Sequence, residues 1–237
     1  MNKILSNRWI LRSILKTIWF NFHYLPFRQA IKLPILLYKP KFLVCKGQIK
    51  IDGPVHFGMI TLGRYRVSIY PNTGFIYENW GGVIHFRGKC SIGNASTISV
   101  GKKGFIDFGN NFSASTSLRL VCYHKIIIHE NVRIGWNNLI CDTDFHSLTI
   151  ESNDPTKPSI RKSRGYDKIE IGKNTWMAMN CTILKGSTLP EYCVIGANST
   201  INKSTQATPK SLLSNSTATV RRTGIYRDLN NDGINYE

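Results

Sequence analysis

The stretch from Ile171 to Thr205 reads IGKNTW-MAMNCT-ILKGST-LPEYCV-IGANST-INKST when it is divided into units of six residues. Each unit opens with an apolar residue and carries a small residue at its fifth position. A helix cannot explain this spacing, because a step of six residues moves about 120° away from one helix face. A flat strand cannot either, since Gly, Asn or Pro interrupts the units. A period of six is typical of a chain that turns a corner after every unit and stacks its coils as a β-helix.

The repeat extends beyond this stretch with lower regularity. Its apolar positions are Ile171, Met177, Ile183, Leu189, Ile195 and Ile201, and its small positions are Thr175, Cys181, Ser187, Cys193, Ser199 and Thr205. The same period links Ile128, Ile134 and Ile140, breaks over residues 147–168 and resumes at Ile169. Three six-residue units make a coil of about 18 residues, and coils stack at the strand spacing of about 4.8 Å.

These observations predict a mainly β protein in three parts. Residues 1–45 form a basic amphipathic helical segment that ends in a proline-punctuated connector. Residues 46–205 form the β-helix, with a loop insertion at 147–168 that is long enough to suggest a functional loop. Residues 206–237 lose the period and are expected to form a cap or tail.

The N-terminal segment carries most of the excess positive charge. The chain has a formal net charge of +17, and the first acidic residue is Asp52. The segment lacks the apolar run of a membrane span or a signal peptide. One helical face would be basic, with Arg8, Arg12 and Lys16, and another apolar, with Ile4, Leu11, Leu15, Ile18 and Phe22. Such a helix either lies on an anionic membrane surface or caps the end of the β-helix, and both roles are compatible.

The six cysteines show no metal-binding spacing and no secretory context. Cys181 and Cys193 occupy small positions of the repeat and are therefore predicted to lie in the core. A reducing, cytoplasmic location follows, with peripheral contact at the inner face of the cell membrane if the helix binds lipid.

His146 stands out because it falls in the phase of Ile128, Ile134 and Ile140, where another aliphatic residue is expected. The chain reads Asp142-Thr143-Asp144-Phe145-His146 at this point, and the insertion starts immediately afterwards. A carboxylate hydrogen-bonded to one ring nitrogen would fix the tautomer and leave the other nitrogen free to take a proton. The alternative is a turn whose Asp and His satisfy only local backbone groups.

The same residues carry a resemblance to a known family. The run from Asp142 to His146, then the segments 169–176, 183–186 and 194–199, resembles the hexapeptide-repeat acyltransferases. It is most similar to the O-acetyltransferases of polysaccharide synthesis. The resemblance implies a left-handed parallel β-helix that assembles as a homotrimer, with active sites between neighbouring subunits.

The resemblance also implies a reaction and a catalytic residue. His146 would act as general base on a hydroxyl of a sugar or oligosaccharide acceptor, which is free or lipid-linked. That hydroxyl would attack the thioester of acetyl-CoA directly, and no metal is required. Asp144 is expected to orient the imidazole, with Asp142 as the rival.

The family binds its donor along a groove formed by the last regular coils. Trp176 matches the tryptophan beside the donor site, and Met179, Ala197 and Asn202 match positions that contact the pantetheine arm. Lys203 matches a basic residue that meets the nucleotide phosphates, in keeping with charge pairing. Plain packing by Trp176 and a solvated Lys203 are the alternatives.

Two other functions fit parts of the sequence. His124 and His129, with His85 or His146, resemble part of the zinc ligand set of the gamma-class carbonic anhydrases. A non-catalytic β-helix whose basic N-terminus docks on an anionic membrane or nucleic acid is the second rival. No nucleic-acid motif accompanies the basic residues, so nucleic acid is not expected as a partner.

Overall fold

A computed structural model describes residues 13–146, 149–150, 156, 161–162, 165–214 and 219–224. Two helices come first, α1 (Ile14–Tyr24) and α2 (Phe27–Ala30). The first strands are β1 (Ile35–Leu37), β2 (Pro40–Cys45), β3 (Gln48–Ile51), β4 (Ile60–Arg64), β5 (Phe75–Asn79), β6 (Val83–Phe86), β7 (Cys90–Gly93) and β8 (Ser96–Val100). The next are β9 (Phe105–Phe108), β10 (Phe112–Thr116), β11 (Arg119–Cys122), β12 (Lys125–Ile128), β13 (Arg133–Trp136), β14 (Leu139–Cys141), β15 (Thr149–Ile150) and β16 (Arg161–Lys162). The last are β17 (Ile169–Ile171), β18 (Trp176–Met177), β19 (Thr182–Leu184), β20 (Thr188–Leu189), β21 (Val194–Ile195), β22 (Thr200–Ile201), β23 (Leu212–Ser214) and β24 (Thr219–Arg222).

Three sheets form the three faces of a parallel β-helix. Face A contains β1, β4, β7, β10, β13, β18, β21 and β23; face B contains β2, β5, β8, β11, β14, β19 and β22; face C contains β3, β6, β9, β12, β17 and β20. The chain visits faces A, B and C in turn, so each coil has three corners, which we name AB, BC and CA. The predicted mainly β, parallel β-helical fold is confirmed. Its left-handed sense stays a prediction.

The six-residue pattern marks the core as predicted. All six apolar positions from Ile171 to Ile201 are at most 2% exposed, and so are the small residues from Thr175 to Ser199. Cys181 and Cys193 are therefore core residues, as expected. Trp176 pairs with Val194, and Val194 pairs with Leu212, so these coils repeat every eighteen residues.

The corners depend on residues that adopt the left-handed backbone region. At corner AB these are Ala95, Ser117, Asn137, Asn180 and Asn198, all with φ between 54° and 58°. Asn tolerates this region better than most L-residues, which explains its frequency at the corners. The side chains also stack, since Asn137 Nδ2 donates to Asn180 Oδ1 at 2.8 Å.

The β-helix extends beyond both predicted boundaries. Strands β1 and β2 pair with β4 and β5, ahead of the boundary predicted at residue 46. The prolines do not prevent this, because Pro34 precedes the edge strand β1 and Pro40 begins β2. At the other end, β23 adds a strand to face A after residue 205, and β24 pairs with it antiparallel.

Helix α1 closes the open edge of β1 with its polar side. The amides of Lys39 and Leu37 donate to Ser13 Oγ and Thr17 Oγ1, and Asn21 exchanges two hydrogen bonds with the backbone of Ile35. The predicted apolar stripe faces outward instead. Its described members are exposed, with Leu15 at 79%, Ile18 at 39% and Phe22 at 47%.

Only part of the predicted N-terminal helix lies within the described residues. Arg8, Arg12, Ile4 and Leu11 lie outside the described residues. Lys16, the third basic residue of the predicted stripe, donates to the carbonyl oxygen of Pro40 at 2.9 Å. In the described part of the chain, neither helix is both long and apolar enough to cross a membrane.

Candidate active site

His146 lies at corner BC, where the chain leaves β14 and the insertion begins. Its side chain is exposed, although its phase in the repeat predicted a buried position. The insertion returns through β15 and β16, which pair antiparallel, before β17 resumes face C. The exposed imidazole therefore stands at the base of this antiparallel ribbon and is accessible to a ligand.

Asp142 ends the repeat and anchors this corner. Its side chain is fully buried, and its two carboxylate oxygens accept hydrogen bonds from the amides of Tyr123 and His124 at 2.7 and 2.8 Å. These amides belong to the corner of the preceding coil. A buried carboxylate here satisfies donors that an aliphatic residue would leave unpaired.

The base of the ribbon is held by main-chain bonds on both sides. Asp144 N donates to the carbonyl oxygen of Gly165 at 2.7 Å, and Thr143 forms an antiparallel bridge with Tyr166. Phe145 adopts a left-handed conformation with φ of 60°, and its amide donates to Thr143 Oγ1. A non-glycine residue in this region carries strain of about 1–3 kcal/mol, which the surrounding bonds must offset.

The two predicted carboxylates are used differently. Asp144 is partly exposed, and its Oδ2 pairs with Lys185 Nζ at 2.9 Å. Among the described residues, neither Asp144 nor Asp142 is hydrogen-bonded to the His146 ring. Both oxygens of Asp142 are committed to amides, whereas Oδ1 of Asp144 accepts no hydrogen bond from a described residue.

Lys203 and Asn202 share corner BC with His146, two coils further along. Lys203 Nζ lies 3.7 Å from Asp167 Oδ2, and the lysine side chain is 80% exposed. Asn202 Oδ1 accepts hydrogen bonds from the amide and hydroxyl of Ser204, which fixes the turn. The lysine side chain stays largely exposed beside Asp167, so its ammonium is accessible to an anion from solvent.

Trp176, Met179 and Ala197 lie elsewhere. Trp176 is on β18 of face A and is 43% exposed; Met179, at corner AB, is 44% exposed, and Ala197 on the next coil is also exposed. The amide of Asn198 donates to the carbonyl oxygen of Met179 at 3.0 Å, so the two corner turns are stacked. Exposed apolar side chains that stand together in this way suit an apolar ligand segment.

The predicted site residues therefore form two groups on different edges of the β-helix. Corner BC lies opposite face A, because each corner of a three-sided coil is opposite the face it does not border. One chain does not bring His146 next to Trp176. A site that contains both needs a second copy of the chain.

The histidines of the zinc alternative are engaged in other contacts. His129 Nε2 lies 3.0 Å from Glu170 Oε1, and His85 Nε2 lies 2.7 Å from Asp52 Oδ1. The ring of His124 packs against Tyr166, with 4.9 Å between centroids. Within the described ranges, no three metal-binding side chains are gathered in one place.

Burial and neighbouring charges shift the pKa values of Cys141 and Glu170, which flank corner BC. Burial raises the pKa of the Cys141 thiol beside the site, so this thiol stays protonated at neutral pH. Lys168 and then His129 hold the pKa of the Glu170 carboxyl below its usual range. No activated thiol is therefore found beside His146 among the described residues.

Sequence reasoning missed the partners that shape the corner. Gly165 and Asp167 reach corner BC because the insertion returns antiparallel to residues 142–144, and Lys185 reaches it because the next coil stacks on β14. The sequence did contain a signal for Lys185, which is the third residue of the repeat unit that begins at Ile183. Once the coil period is fixed, that position falls directly above the residues that follow β14.

Comparison with known proteins agrees with the resemblance. A protein of Escherichia coli (strain K12) named as a lipopolysaccharide biosynthesis O-acetyl transferase is 28% identical over 125 residues, which cover 43% of this chain and 64% of that protein. A Mycobacterium tuberculosis (strain H37Rv) protein named as an acetyltransferase is 27% identical over 171 residues, which cover 69% of this chain and 52% of that protein. The chain thus spans between half and two thirds of these relatives. No family model matches the chain. No solved structure matches it significantly.

The predicted similarity to acetyltransferases is confirmed by these two relatives. The three parallel faces agree with the parallel β-helix that this resemblance implies.

Proposed function

We propose that the protein is an acetyl-CoA-dependent O-acetyltransferase that acts on a sugar hydroxyl of a surface polysaccharide or of its lipid-linked precursor. The observation that carries the proposal is an exposed imidazole, His146, at the base of the ribbon of a β-helix that resembles acetyltransferases. The name of the Escherichia coli relative supports the polysaccharide as acceptor.

In the proposed reaction, His146 removes the proton of the acceptor hydroxyl as the oxygen attacks the thioester carbonyl. The carbon–sulfur bond breaks, and the coenzyme A thiolate leaves and takes up the proton from the imidazolium. Positioned proton transfer of this kind contributes about 10²–10⁴ in rate. Direct transfer agrees with the protonated state of the Cys141 thiol, which burial maintains.

The proposal gives the two aspartates separate roles. Asp144 orients the imidazole through Oδ1, while Lys185 holds its other oxygen. Asp142 supports the corner from below, because both of its oxygens bind backbone amides. Asp142 is thus a positioning residue that acts through the backbone.

The donor groove is assigned to the exposed residues of the last coils. Trp176 would lie beside the donor, Met179, Ala197 and Asn202 would contact the pantetheine arm, and Lys203 would meet the nucleotide phosphates. His146 and Lys203 lie at corner BC, whereas Trp176 lies on the opposite face A. We therefore propose a homotrimer in which corner BC of one subunit contacts face A of its neighbour.

Mixed trimers test this arrangement directly. His146→Ala and Trp176→Glu chains are each expected to be inactive alone. Co-expressed in equal amounts, they should regain up to about a quarter of wild-type activity, since that share of interfaces pairs an intact His146 with an intact Trp176. The assay is recovery of O-acetyl groups on the surface polysaccharide of a strain that lacks the gene.

Two outcomes would overturn the proposal. Acetylation by the His146→Ala chain alone would show that His146 is not the general base. If every mixture is inactive although both variants are folded and trimeric, the active site is not shared between two subunits. Thermal stabilisation by acetyl-CoA, weakened in Lys203→Glu, provides a separate check of donor binding.

We further propose that the outer side of α1 and α2 contacts an anionic membrane. It exposes Leu15, Ile18, Trp19, Phe22, Phe27 and Ile31, while the polar side of α1 is already bonded to β1. The first fifty residues contain ten basic residues and no acid, so electrostatics favours an anionic surface over a second, equally basic copy. This contact would keep a cytoplasmic enzyme at the inner face of the membrane.

Vesicle flotation tests the membrane contact. Wild-type protein should float with phosphatidylglycerol vesicles and not with phosphatidylcholine vesicles. Leu15→Asn with Phe22→Asn should abolish flotation, whereas Phe57→Asn, an exposed aromatic outside both helices, should not change it. Equal flotation of all three proteins would contradict the assignment.

A further inference from the structure

The outer side of face A carries a straight row of side chains that ends at Trp176. The strand register aligns Thr61 with Ser91, Ser91 with Ser113, Ser113 with Arg133, and Arg133 with Trp176. These positions alternate with buried residues such as Ile92, Ala114 and Ile134, so the row points outward. Successive members are therefore about 4.8 Å apart along the β-helix axis.

A cleft of about 270 Å³ lies over the first part of this row. We name it the cationic cleft, and its polar lining is Arg64, Arg66, Lys89, Arg133, Thr61, Ser91, Asn111 and Ser113. No aspartate or glutamate is among the described residues that line it. Four cations and several hydroxyl groups thus face one small volume.

Three of the four cations in the cleft have no counter-charge among the described residues. Arg64, Arg66 and Lys89 form no ion pair with a described residue, whereas Arg87 on face C is paired with two aspartates. Burial and the nearby charges of Arg64 and Arg133 lower the pKa of Arg66. Like charges held together without a counter-charge repel each other, and a bound anion would remove that repulsion.

The segment that carries Arg66 is anchored over the cleft. Asn94 Nδ2 donates to the carbonyl oxygen of Pro71 at 2.6 Å, and the ring of Tyr70 lies edge-on to Trp136 with 6.1 Å between centroids. Arg66 is therefore held on the same side of the β-helix as Arg133. The cationic cleft is a built feature of the fold.

We propose that the cationic cleft binds a diphosphate group of the acceptor substrate. A single carboxylate would engage one guanidinium, whereas the many oxygens of a diphosphate can engage several cations and hydroxyl groups together. The cleft reaches Arg133, one strand from Trp176, so a sugar attached to the diphosphate would extend toward the proposed acetyl donor. This assignment rests on the proposed function for the role of Trp176.

Calorimetric titration of the full chain with inorganic pyrophosphate tests the proposal. Arg64→Gln and Arg66→Gln should each weaken binding about tenfold or more. Arg119→Gln is the matched control, because Arg119 is exposed on face B and forms no ion pair with a described residue. Melting temperatures should not fall in the cleft variants, since each removes a repulsive charge.

Two further titrations identify the diphosphate source. Tighter binding of a nucleoside diphosphate sugar would indicate a nucleotide-linked acceptor, and tighter binding of a short polyprenyl diphosphate a lipid-linked one.

Pyrophosphate binding that is equal in Arg66→Gln, Arg119→Gln and wild type would overturn the proposal. Parallel loss of acetyl-CoA affinity in Arg64→Gln and Arg66→Gln would also overturn it, because the cleft would then hold the donor. If wild-type protein does not bind acetyl-CoA at all, the proposed function fails, while the pyrophosphate titration still decides the cleft.

Discussion

The coils before the insertion and those after it solve the same packing problem in different ways. Before it, Cys90 pairs with Phe112 and Ser113 with Arg133, so coils advance by 22 and 20 residues. After it, Trp176 pairs with Val194, and the coils advance by 18. We call the first group the wide coils and the second the narrow coils.

Core composition follows coil size. Large aromatic residues fill the wide coils, where the rings of Phe86 and Phe108 stack at 5.2 Å and Phe112 packs beside them. In register with Phe86 and Phe108, the narrow coils carry the smaller side chains of Ile171 and Leu189. The comparison teaches that a longer coil encloses more volume, which only larger side chains fill at the density of a protein interior.

Removing an aromatic residue from the wide coils should have the largest effect. Phe108→Ala is expected to cost about 3–5 kcal/mol, because a fully buried ring leaves a cavity between two coils. The midpoint of urea unfolding measures this. Ile183→Val in the narrow coils is the control, at about 0.5–1.5 kcal/mol. A smaller loss for Phe108→Ala than for the control would contradict the volume argument.

The junction between the two groups should be the next most sensitive position. Asp142→Ala is expected to cost about 2–4 kcal/mol, since it removes two charge-assisted hydrogen bonds to the amides of Tyr123 and His124. Asp144→Asn should leave the melting temperature nearly unchanged and lower kcat. Equal destabilisation by both changes would show that Asp142 has no special role at the corner.

Overfilling the narrow coils should cost less. Cys193→Leu adds volume at a fully buried position and is expected to destabilise by about 1–3 kcal/mol. Cys193→Ala is the control and should be milder, because it adds nothing. The narrow-coil interpretation would be wrong if the leucine variant melted at or above the wild-type temperature.

The smallest effect concerns an ion pair on face C. The pKa of Glu170 is lowered by Lys168 and His129, so this carboxylate stabilises the fold above its usual pKa, and the contribution is lost as pH falls through the lowered pKa. Between about pH 5 and pH 3, wild type should lose more stability than Glu170→Gln, by less than about 1 kcal/mol for this partly exposed group. Melting curves over this range measure the difference, and identical pH dependence would contradict it.

The same difference explains which parts of the fold could be predicted. The narrow coils keep a strict period of six, so the positions of Ile171 to Ile201 in the core followed from the sequence alone. The wide coils insert extra residues between the faces, which hides the period, and β1 and β2 were therefore assigned to a connector. His146 was singled out as a candidate because it stands where the six-residue repeat calls for an aliphatic residue. Its distance from Trp176 could not be predicted, because that requires knowing which face follows each corner.

Helix α1 has a consequence for the assembly of the molecule. A stack of parallel coils ends in a row of unpaired backbone groups, onto which the end of another such stack could add to grow a fibre. Ser13, Thr17 and Asn21 occupy those groups on β1 with side-chain atoms, which offer no strand for a further coil to extend. At the opposite end, β24 reverses direction and breaks the parallel order. Within the described residues, face A is therefore covered by a helix at one end and finished by an antiparallel strand at the other, so neither end of this face continues the parallel order.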